Sequence, residues 1–281
     1  MTEADAVRVF APAKINLFLH VGDKRADGYH ALQSLVAFAG VGDELELRPS
    51  QDYVLSIRGP FASGLPAGDD NLVLKTTRLM SLEADIVLTK NLPVASGIGG
   101  GSADAAATLR GLTRLWTMKE ADRLIRHAAP MIGSDVLVCI DSKSAWMEGR
   151  GEVVTPAAGV PPMPMLLVNP GVAVSTADVF RGLKTRHGTS LRRPEKFGGA
   201  EELLQFLRTT ANDLEAPALA IQPVITDVLR EIEATGSLFT RMSGSGATCF
   251  GLFESEEHVA RAAKAISAAH PSWWVCATRI A

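Results

Sequence analysis

The sequence lacks paired cysteines, long apolar runs and a marked charge of either sign. Its three cysteines, Cys139, Cys249 and Cys276, form no Cys-x-x-Cys pair, which predicts reduced core residues rather than a disulfide framework or a metal site. No segment supplies about 18 consecutive uncharged apolar residues, so we expect no membrane span. A net charge of −3 gives no electrostatic reason to expect nucleic acid or an anionic membrane as a partner. Residues 1–9 hold no apolar export segment, which predicts a bacterial cytoplasmic location.

Two common phosphate-binding loops are also absent. The Walker loop needs a Gly-Lys pair, and the chain contains none. The dinucleotide fingerprint Gly-x-Gly-x-x-Gly fails because Ser102 stands at its last position. The chain does contain Pro-x-x-x-Gly-x-Gly-Gly-Gly-Ser over residues 93–102, between a strand-like run and an alanine-rich, helix-like run. A glycine-rich turn that opens a helix directs free backbone N–H groups and the positive helix end at one point, which favours phosphate binding.

The length of 281 residues allows one large domain or two smaller ones, and a proline-rich stretch suggests where the boundary falls. Four prolines lie between residues 156 and 164, so we predict domains over 1–157 and 158–281. The second half reads as one strand, three helices, two strands, a helix and a strand, which is typical of an α+β sandwich. Within this reading, helices are expected over 102–115 and 217–234, and the polar segment 184–199 is expected to be a mobile loop.

Five motifs occur in order along the chain. They are Pro12-Ala-Lys14-Ile-Asn16, Asp27-Gly28-Tyr29-His30, the glycine loop, Gly133-Ser-Asp135, and Met242-Ser-Gly244-Ser245-Gly246. Together they resemble the GHMP kinases, the group that contains galactokinase, homoserine kinase and mevalonate kinase. The resemblance extends from about Pro12 to Phe253. The first two motifs are more specific than the glycine loop, and they are similar to those of the members that phosphorylate a cytidylated alcohol.

The resemblance implies a two-domain α+β fold and a phosphotransfer reaction. The expected fold has an N-terminal domain like the second domain of ribosomal protein S5 and a C-terminal ferredoxin-like α/β sandwich, with ATP and substrate in the cleft between them. The implied reaction moves the γ-phosphoryl group of ATP to the tertiary 2-hydroxyl of 4-diphosphocytidyl-2-C-methyl-D-erythritol, a step of the non-mevalonate route to isoprenoid precursors. The matching lysine and aspartate are catalytic in the family. Lys14 is therefore expected to stabilise the developing alkoxide, and Asp135 to accept the hydroxyl proton.

The resemblance also assigns the glycine loop to ATP. The residues implied are Pro93, Val94, Ala95, Ser96, Gly97, Ile98, Gly99, Gly100, Gly101, Ser102 and Ala103. ATP chemistry implies Mg²⁺, held mainly by phosphates and water, and Ser102 is the best candidate protein ligand, followed by Asp135. The family loop often carries a second serine where this chain has Ala103, which removes one hydroxyl.

The substrate residues follow in the same way. Tyr29 is expected to stack on the cytosine ring, His30 to hydrogen-bond the edge of the base, and Phe180 to cover the other ring face. The resemblance places Asn16 at the substrate head, and it places the late loop, with Gly244, Ser245 and Gly246, at the phosphates. Simpler readings stay open for two of these assignments, because Phe180 also suits the core face of a helix and the late loop also suits a hairpin turn.

Two alternative functions follow from the same features. One is another small-molecule kinase of the group, of the homoserine or mevalonate type, which the Asp27–His30 motif argues against. The other is a non-catalytic nucleotide-binding module, which intact Lys14 and Asp135 argue against. In each case the expected partners are small molecules, and the chain is expected to be a monomer or a homodimer.

Overall fold

The chain passes repeatedly between two compact units. In this computed structural model, which describes residues 6–281, the first unit contains the described residues up to Ala13 together with Val41–Val94 and Gly99–Ser142. The second unit contains Lys14–Gly40, Ala95–Ile98 and Lys143–Ala281. Two long strands, β1 (Val7–Lys24) and β2 (His30–Pro49), contribute residues to both units. The units therefore divide the chain differently from the boundary at 157/158, which stays a prediction.

The first unit combines a small sheet with helices. Strand β4 (Ala84–Thr89) runs parallel to β3 (Tyr53–Arg58) and antiparallel to the second part of β2. Its inward residues Ala84, Ile86 and Leu88 are buried in alternation, as a half-buried strand requires. The helices are α1 (Leu72–Met80), α2 (Gly100–Leu115), α3 (Ala121–Ile132) and α4 (Val136–Cys139).

The second unit is built around a four-stranded antiparallel sheet. Its strand order is β10-β7-β9-β8, with β7 (Pro164–Asn169), β8 (Phe239–Met242), β9 (Cys249–Leu252) and β10 (Trp274–Arg279). Helices α8 (Val224–Ala234) and α9 (Glu256–Ala269) pack on this sheet and bury their apolar faces in its core. Numbered from β7, the order is 4-1-3-2, which is that of a ferredoxin-like sandwich. The predicted C-terminal architecture is confirmed.

The second unit has two further strands and three further helices. Strand β5 (Ala145–Gly149) pairs with the first part of β2 and with β6 (Val153–Pro156). The helices are α5 (Thr176–Arg181), α6 (Ala200–Arg208) and α7 (Glu215–Ile221).

Two predicted helices differ from the observed ones for local reasons. The helix expected over 217–234 is divided into α7 and α8 at Gln222 and Pro223, since proline has no N–H to continue the hydrogen-bond ladder. Helix α2 begins at Gly100 rather than 102, directly after Gly99, which adopts a left-handed backbone conformation with φ of 63°. Because of the division at Pro223, four helices, α5 to α8, lie between β7 and β8, where the sequence pattern predicted three.

The polar segment 184–199 contains no helix or strand, as predicted, but it is tied to its own unit. The N–H of Gly188 donates to the Val21 carbonyl at 3.2 Å, and the side-chain amide of Gln33 both donates to and accepts from the Leu191 backbone at 3.0 Å. Arg193 pairs with Glu148 at 2.7 Å. The mobility of this segment stays a prediction.

Candidate active site

Strand β1 places Lys14 and Asn16 on the same side of the backbone, two residues apart. Both side chains are almost fully buried, with 3% and 1% exposed. The Lys14 ammonium donates to the Asn16 side-chain oxygen at 2.8 Å, and the Asn16 amide donates to the Ser34 hydroxyl at 2.8 Å. Burying an ammonium is costly, so this directed arrangement holds the charge of Lys14 at a defined position.

The first part of the glycine loop lies against the late loop within the second unit. The Ser243 hydroxyl donates to the Gly97 carbonyl and accepts from the Asn16 N–H, both at 3.1 Å. The Thr248 N–H donates to the Ser96 carbonyl at 3.0 Å. A Cβ on Gly97, which has φ of 76°, would stand 2.5 Å from the Ser243 carbonyl oxygen. Only glycine permits this close approach of the two loops.

The late loop is held in place by buried and partly buried polar side chains that belong to none of the sequence motifs. The Asn212 amide donates to the carbonyls of Met242 at 2.9 Å and Gly244 at 2.8 Å. Glu215 accepts the Met242 N–H at 2.9 Å, and burial raises the pKa of its carboxyl. Burial also lowers the pKa of Arg241 to about 10, while the nearby Glu215 charge opposes that shift. The only sequence signal for Asn212 is a polar residue between two helices, which is typical of any loop.

The second part of the glycine loop opens helix α2 in the first unit. Gly99 is the N-cap residue and, as a glycine, has no side chain that could form a capping hydrogen bond. The first helical bond runs from the Ala103 N–H to the Gly99 carbonyl at 2.9 Å, so the amides of the preceding turn have no partner within the helix. Gly101 is exposed and Ser102 half-buried. These groups form the kind of helix start that accepts a phosphate.

Asp135 lies in the first unit, at the start of the short helix α4. It occupies the N-cap position but forms no side-chain capping bond, and it is half-buried.

The structure brings together His30 and Phe180, two of the residues that the resemblance assigns to the substrate. Their ring centroids are 5.7 Å apart and their planes differ by 17°. The His30 Nδ1 lies 3.2 Å from the Gly22 carbonyl oxygen. A carbonyl oxygen only accepts, so Nδ1 is the donor in this contact, and the tautomer that is protonated at Nδ1 leaves Nε2 as an acceptor. Tyr29 is 56% exposed, and its ring lies 5.5 Å from the guanidinium of Arg150.

Thr176 adds a hydroxyl that the sequence analysis missed. It is the first residue of α5, the helix that carries Phe180, and its Oγ1 lies 2.8 Å from the Ser245 Oγ. The contact joins α5 to the late loop within the second unit. Its two residues are 69 positions apart in the chain, so no local pattern could have revealed it.

Comparison with known proteins shows the family of the chain. The profile for the GHMP kinases N terminal domain matches residues 71–143, and that for GHMP kinases C terminal matches residues 188–272. The chain is 49% identical, over its full length and that of the relative, to a 4-diphosphocytidyl-2-C-methyl-D-erythritol kinase of Cereibacter sphaeroides (strain ATCC 17025 / ATH 2.4.3). The chain belongs to the 4-diphosphocytidyl-2-C-methyl-D-erythritol kinase family.

Further relatives carry the same name. The kinase of Parvibaculum lavamentivorans (strain DS-1 / DSM 13023 / NCIMB 13966) is 48% identical, covering 94% of this chain and 95% of the relative. A crystal structure of a 4-(cytidine 5'-diphospho)-2C-methyl-D-erythritol kinase superposes with a TM-score of 0.77 at 33% identity and covers 98% of this chain and all of that one. The GHMP kinase fold and the kinase class of the protein are thereby confirmed. ATP is the co-substrate that a kinase of this family uses.

Membrane spans and metal clusters are two further features that the described residues can be checked for. Within residues 6–281, no helix is both long and apolar enough to cross a membrane. The same described residues contain no group of three or more histidine, cysteine, aspartate or glutamate side chains placed to hold a metal ion. Cys139 and Cys249 are buried, as predicted for core residues, and Cys276 is partly exposed.

Proposed function

We propose that the protein transfers the γ-phosphoryl group of ATP to the 2-hydroxyl of 4-diphosphocytidyl-2-C-methyl-D-erythritol, giving the 2-phosphate and ADP. The observation that carries the proposal is the 49% identity to a kinase of that name over the whole of both chains. The substrate places this reaction in the non-mevalonate route to isoprenoid precursors. Full-length identity at this level disfavours both alternatives, a homoserine or mevalonate type of kinase and a non-catalytic module.

Lys14 and Asp135 carry the chemistry in this proposal. Asp135 accepts the proton of the attacking hydroxyl, and the Lys14 ammonium stabilises the negative charge that develops on the oxygen. The burial of Lys14 and its bond to Asn16 support the second role, since a fixed charge in a site with little water acts more strongly than a solvated one. Asn16 itself is then the residue that contacts the substrate head.

The nucleotide phosphates bind to the glycine loop, residues 93–103, through backbone N–H groups. The uncapped start of α2 supports this assignment, and Gly244, Ser245 and Gly246 of the late loop add further N–H and hydroxyl groups. Mg²⁺ bound with the ATP would neutralise phosphate charge during transfer. Ser102 and Asp135 are half-buried oxygen donors of the type that Mg²⁺ prefers, so they fit this ion as its protein ligands.

The cytosine group binds at His30 and Phe180. The acceptor character of His30 Nε2 suits the exocyclic amino group of cytosine, which is a donor. A base whose edge bonds to His30 Nε2 lies beside that ring rather than on its face. Phe180 then covers one face of the base, and Tyr29, which is 56% exposed, stacks on the other.

Three further proposals concern the setting of the reaction. The N-terminal domain covers residues 1–157 and the C-terminal domain residues 158–281. The enzyme works in the bacterial cytoplasm on small-molecule substrates alone. It does so as a monomer or a homodimer.

A coupled ADP-release assay with Mg-ATP tests the reaction. We expect turnover with the cytidylated methylerythritol and none with homoserine or mevalonate. His30→Ala should raise the KM for the cytidylated substrate about tenfold, because a lost ligand hydrogen bond costs about 1.4 kcal/mol, and should leave the KM for ATP unchanged. His127→Ala, at an exposed position of α3, is the matched control.

Turnover with homoserine or mevalonate instead would overturn the substrate assignment. No turnover with any of the three would support a binding module.

A further inference from the structure

A buried lysine lies between two aspartates in the first unit, outside the groups assigned to the reaction. Lys90 follows strand β4 and is 2% exposed. Its ammonium donates to Oδ2 of Asp104 at 2.9 Å and to Oδ2 of Asp43. Asp43 and Asp104 are also buried. These three residues, which we call the Lys90 cluster, join β2, the end of β4 and the first turns of α2.

The cluster reaches both ends of the glycine loop. A Cβ on Gly100 would stand 3.0 Å from the Lys90 ammonium nitrogen, so the charge lies directly against the first residue of α2. On the other side, Oδ1 of Asp43 accepts the N–H groups of Asn91 at 2.6 Å and Leu92 at 2.9 Å. The same carboxylate therefore fixes the backbone that leads into Pro93, where the loop begins.

The loop has few means of holding its own shape. Four of the five residues from 99 to 103 are glycine or alanine, and the cap residue Gly99 makes no side-chain hydrogen bond. Glycine carries the largest backbone entropy of any residue. A defined arrangement of these amides therefore needs support from outside the loop, and the Lys90 cluster supplies it.

The two aspartates of the cluster are not equivalent. The Asp43 carboxylate accepts bonds from the lysine and from two backbone N–H groups, whereas the Asp104 carboxylate accepts only the bond from Lys90. Among the buried side-chain nitrogen and oxygen atoms of residues 6–281, Oδ1 of Asp104 is the one with no hydrogen-bond partner. Burial raises the pKa of Asp104 to about 7, with the Lys90 charge opposing and the Asp43 charge adding to the shift. Burial works against the charge of Lys90, but the two carboxylates outweigh it and raise the pKa of the ammonium.

We propose that the Lys90 cluster positions the glycine loop for the nucleotide, with Asp104 as the positioning residue on α2. The inference rests on the proposed function, since it takes residues 93–103 to be the ATP site. Asp104 does not touch the nucleotide in this account. It acts through Lys90, by holding the first turns of α2 where their amides meet the phosphates.

The test is ADP binding measured by calorimetry, together with steady-state kinetics. Asp104→Ala should weaken ADP binding and raise the KM for ATP about tenfold, because it removes one of the two carboxylates that hold the lysine. The KM for the cytidylated substrate should stay within about twofold. Asp104→Asn should restore ADP affinity to within about threefold, since its amide oxygen still accepts a hydrogen bond from Lys90. Asp122→Ala, on the exposed face of α3, is the matched control and should change neither constant.

Three results would overturn the inference. Asp104→Ala could lower the unfolding temperature and leave ADP affinity within twofold, which would make the cluster purely structural. Asp104→Ala could raise the KM for ATP and the KM for the cytidylated substrate equally. Asp104→Asn could bind ADP as weakly as Asp104→Ala does. If Asp104→Ala does not fold, Asp104→Ser carries the same test, because its side chain is too short to reach Lys90.

A separate variant distinguishes this inference from the assignment of the loop. Gly101→Val adds bulk at the exposed start of α2, and its Cβ would meet only Leu72, at 3.4 Å, so the cluster stays intact. Unchanged ADP affinity in Gly101→Val would contradict the ATP site itself. Lost affinity there, with no effect of Asp104→Ala, would contradict only the positioning role.

Discussion

Replacing Asp104 by asparagine should stabilise the protein increasingly as the pH rises from 5 to 8. Burial raises the pKa of Asp104 to about 7 from an ordinary value of 3.8. Between these values the folded protein binds a proton that the unfolded chain has released. The stabilisation from Asp104 is therefore complete below pH 4 and is lost as the pH rises through 7. Asparagine, which does not titrate, removes this dependence.

The size of the effect follows from the interval between the assay pH and the folded pKa. One pKa unit corresponds to about 1.4 kcal/mol, so two units between pH 5 and pH 7 amount to roughly 3 kcal/mol. The free energy of unfolding of Asp104→Asn, minus that of the wild type, should grow by about this amount between pH 5 and pH 8. The Lys90 ammonium titrates above this window, since its pKa is raised from 10.5.

Urea unfolding of both proteins at pH 5, 6, 7 and 8 measures the difference, in which the other titrating groups cancel. Asp122→Asn is the control, because this exposed carboxylate pairs only at the surface of α3 and its difference should stay flat. A constant difference for Asp104→Asn, or one that falls with pH, would refute the reasoning. It would mean that Lys90 keeps Asp104 ionised in spite of its burial.

Urea unfolding of three further variants tests individual contacts within the two units. Gly97→Ala should cost on the order of 3 kcal/mol, because it forces a strained backbone and a clash with the late loop; a cost under about 1 kcal/mol would contradict the close approach. Asp213→Ala should cost about 2–4 kcal/mol, since its carboxylate accepts the N–H groups of Val21 at 2.7 Å and His187 at 3.0 Å; a neutral effect would show that water replaces those bonds. Asn71→Ala should cost about 1 kcal/mol by removing the N-cap of α1, and no loss would mean that the cap is not needed.

Local pattern was sufficient to predict much of the fold. Strand β4 is the strand-like run expected before the glycine loop, because its alternation and its glycine-rich boundary are both local signals. The sequence of elements in the second half predicted an α+β sandwich, and the family resemblance implied its ferredoxin-like form. Pro223 was the exception, since a single proline divided a segment whose apolar period runs through it.

The site was predicted only where a motif carried it. Lys14, His30 and Phe180 stand in recognisable patterns, but the residues that hold the loops do not. Lys90 and Asp43 are 47 positions apart, and each looks like an ordinary surface charge beside a strand. Contacts of this kind depend on the tertiary fold and have no spacing of their own. Asp104 did offer one signal, a carboxylate inside a run of alanines.

The most direct test of the proposed mechanism is the turnover of Asp135→Asn under saturating Mg-ATP and cytidylated substrate. If Asp135 accepts the proton of the hydroxyl, turnover should fall by about 10² or more, while the affinities for both substrates stay within about tenfold of the wild type. Binding that weakens while turnover at saturation is unchanged would contradict the role of Asp135 in the chemical step.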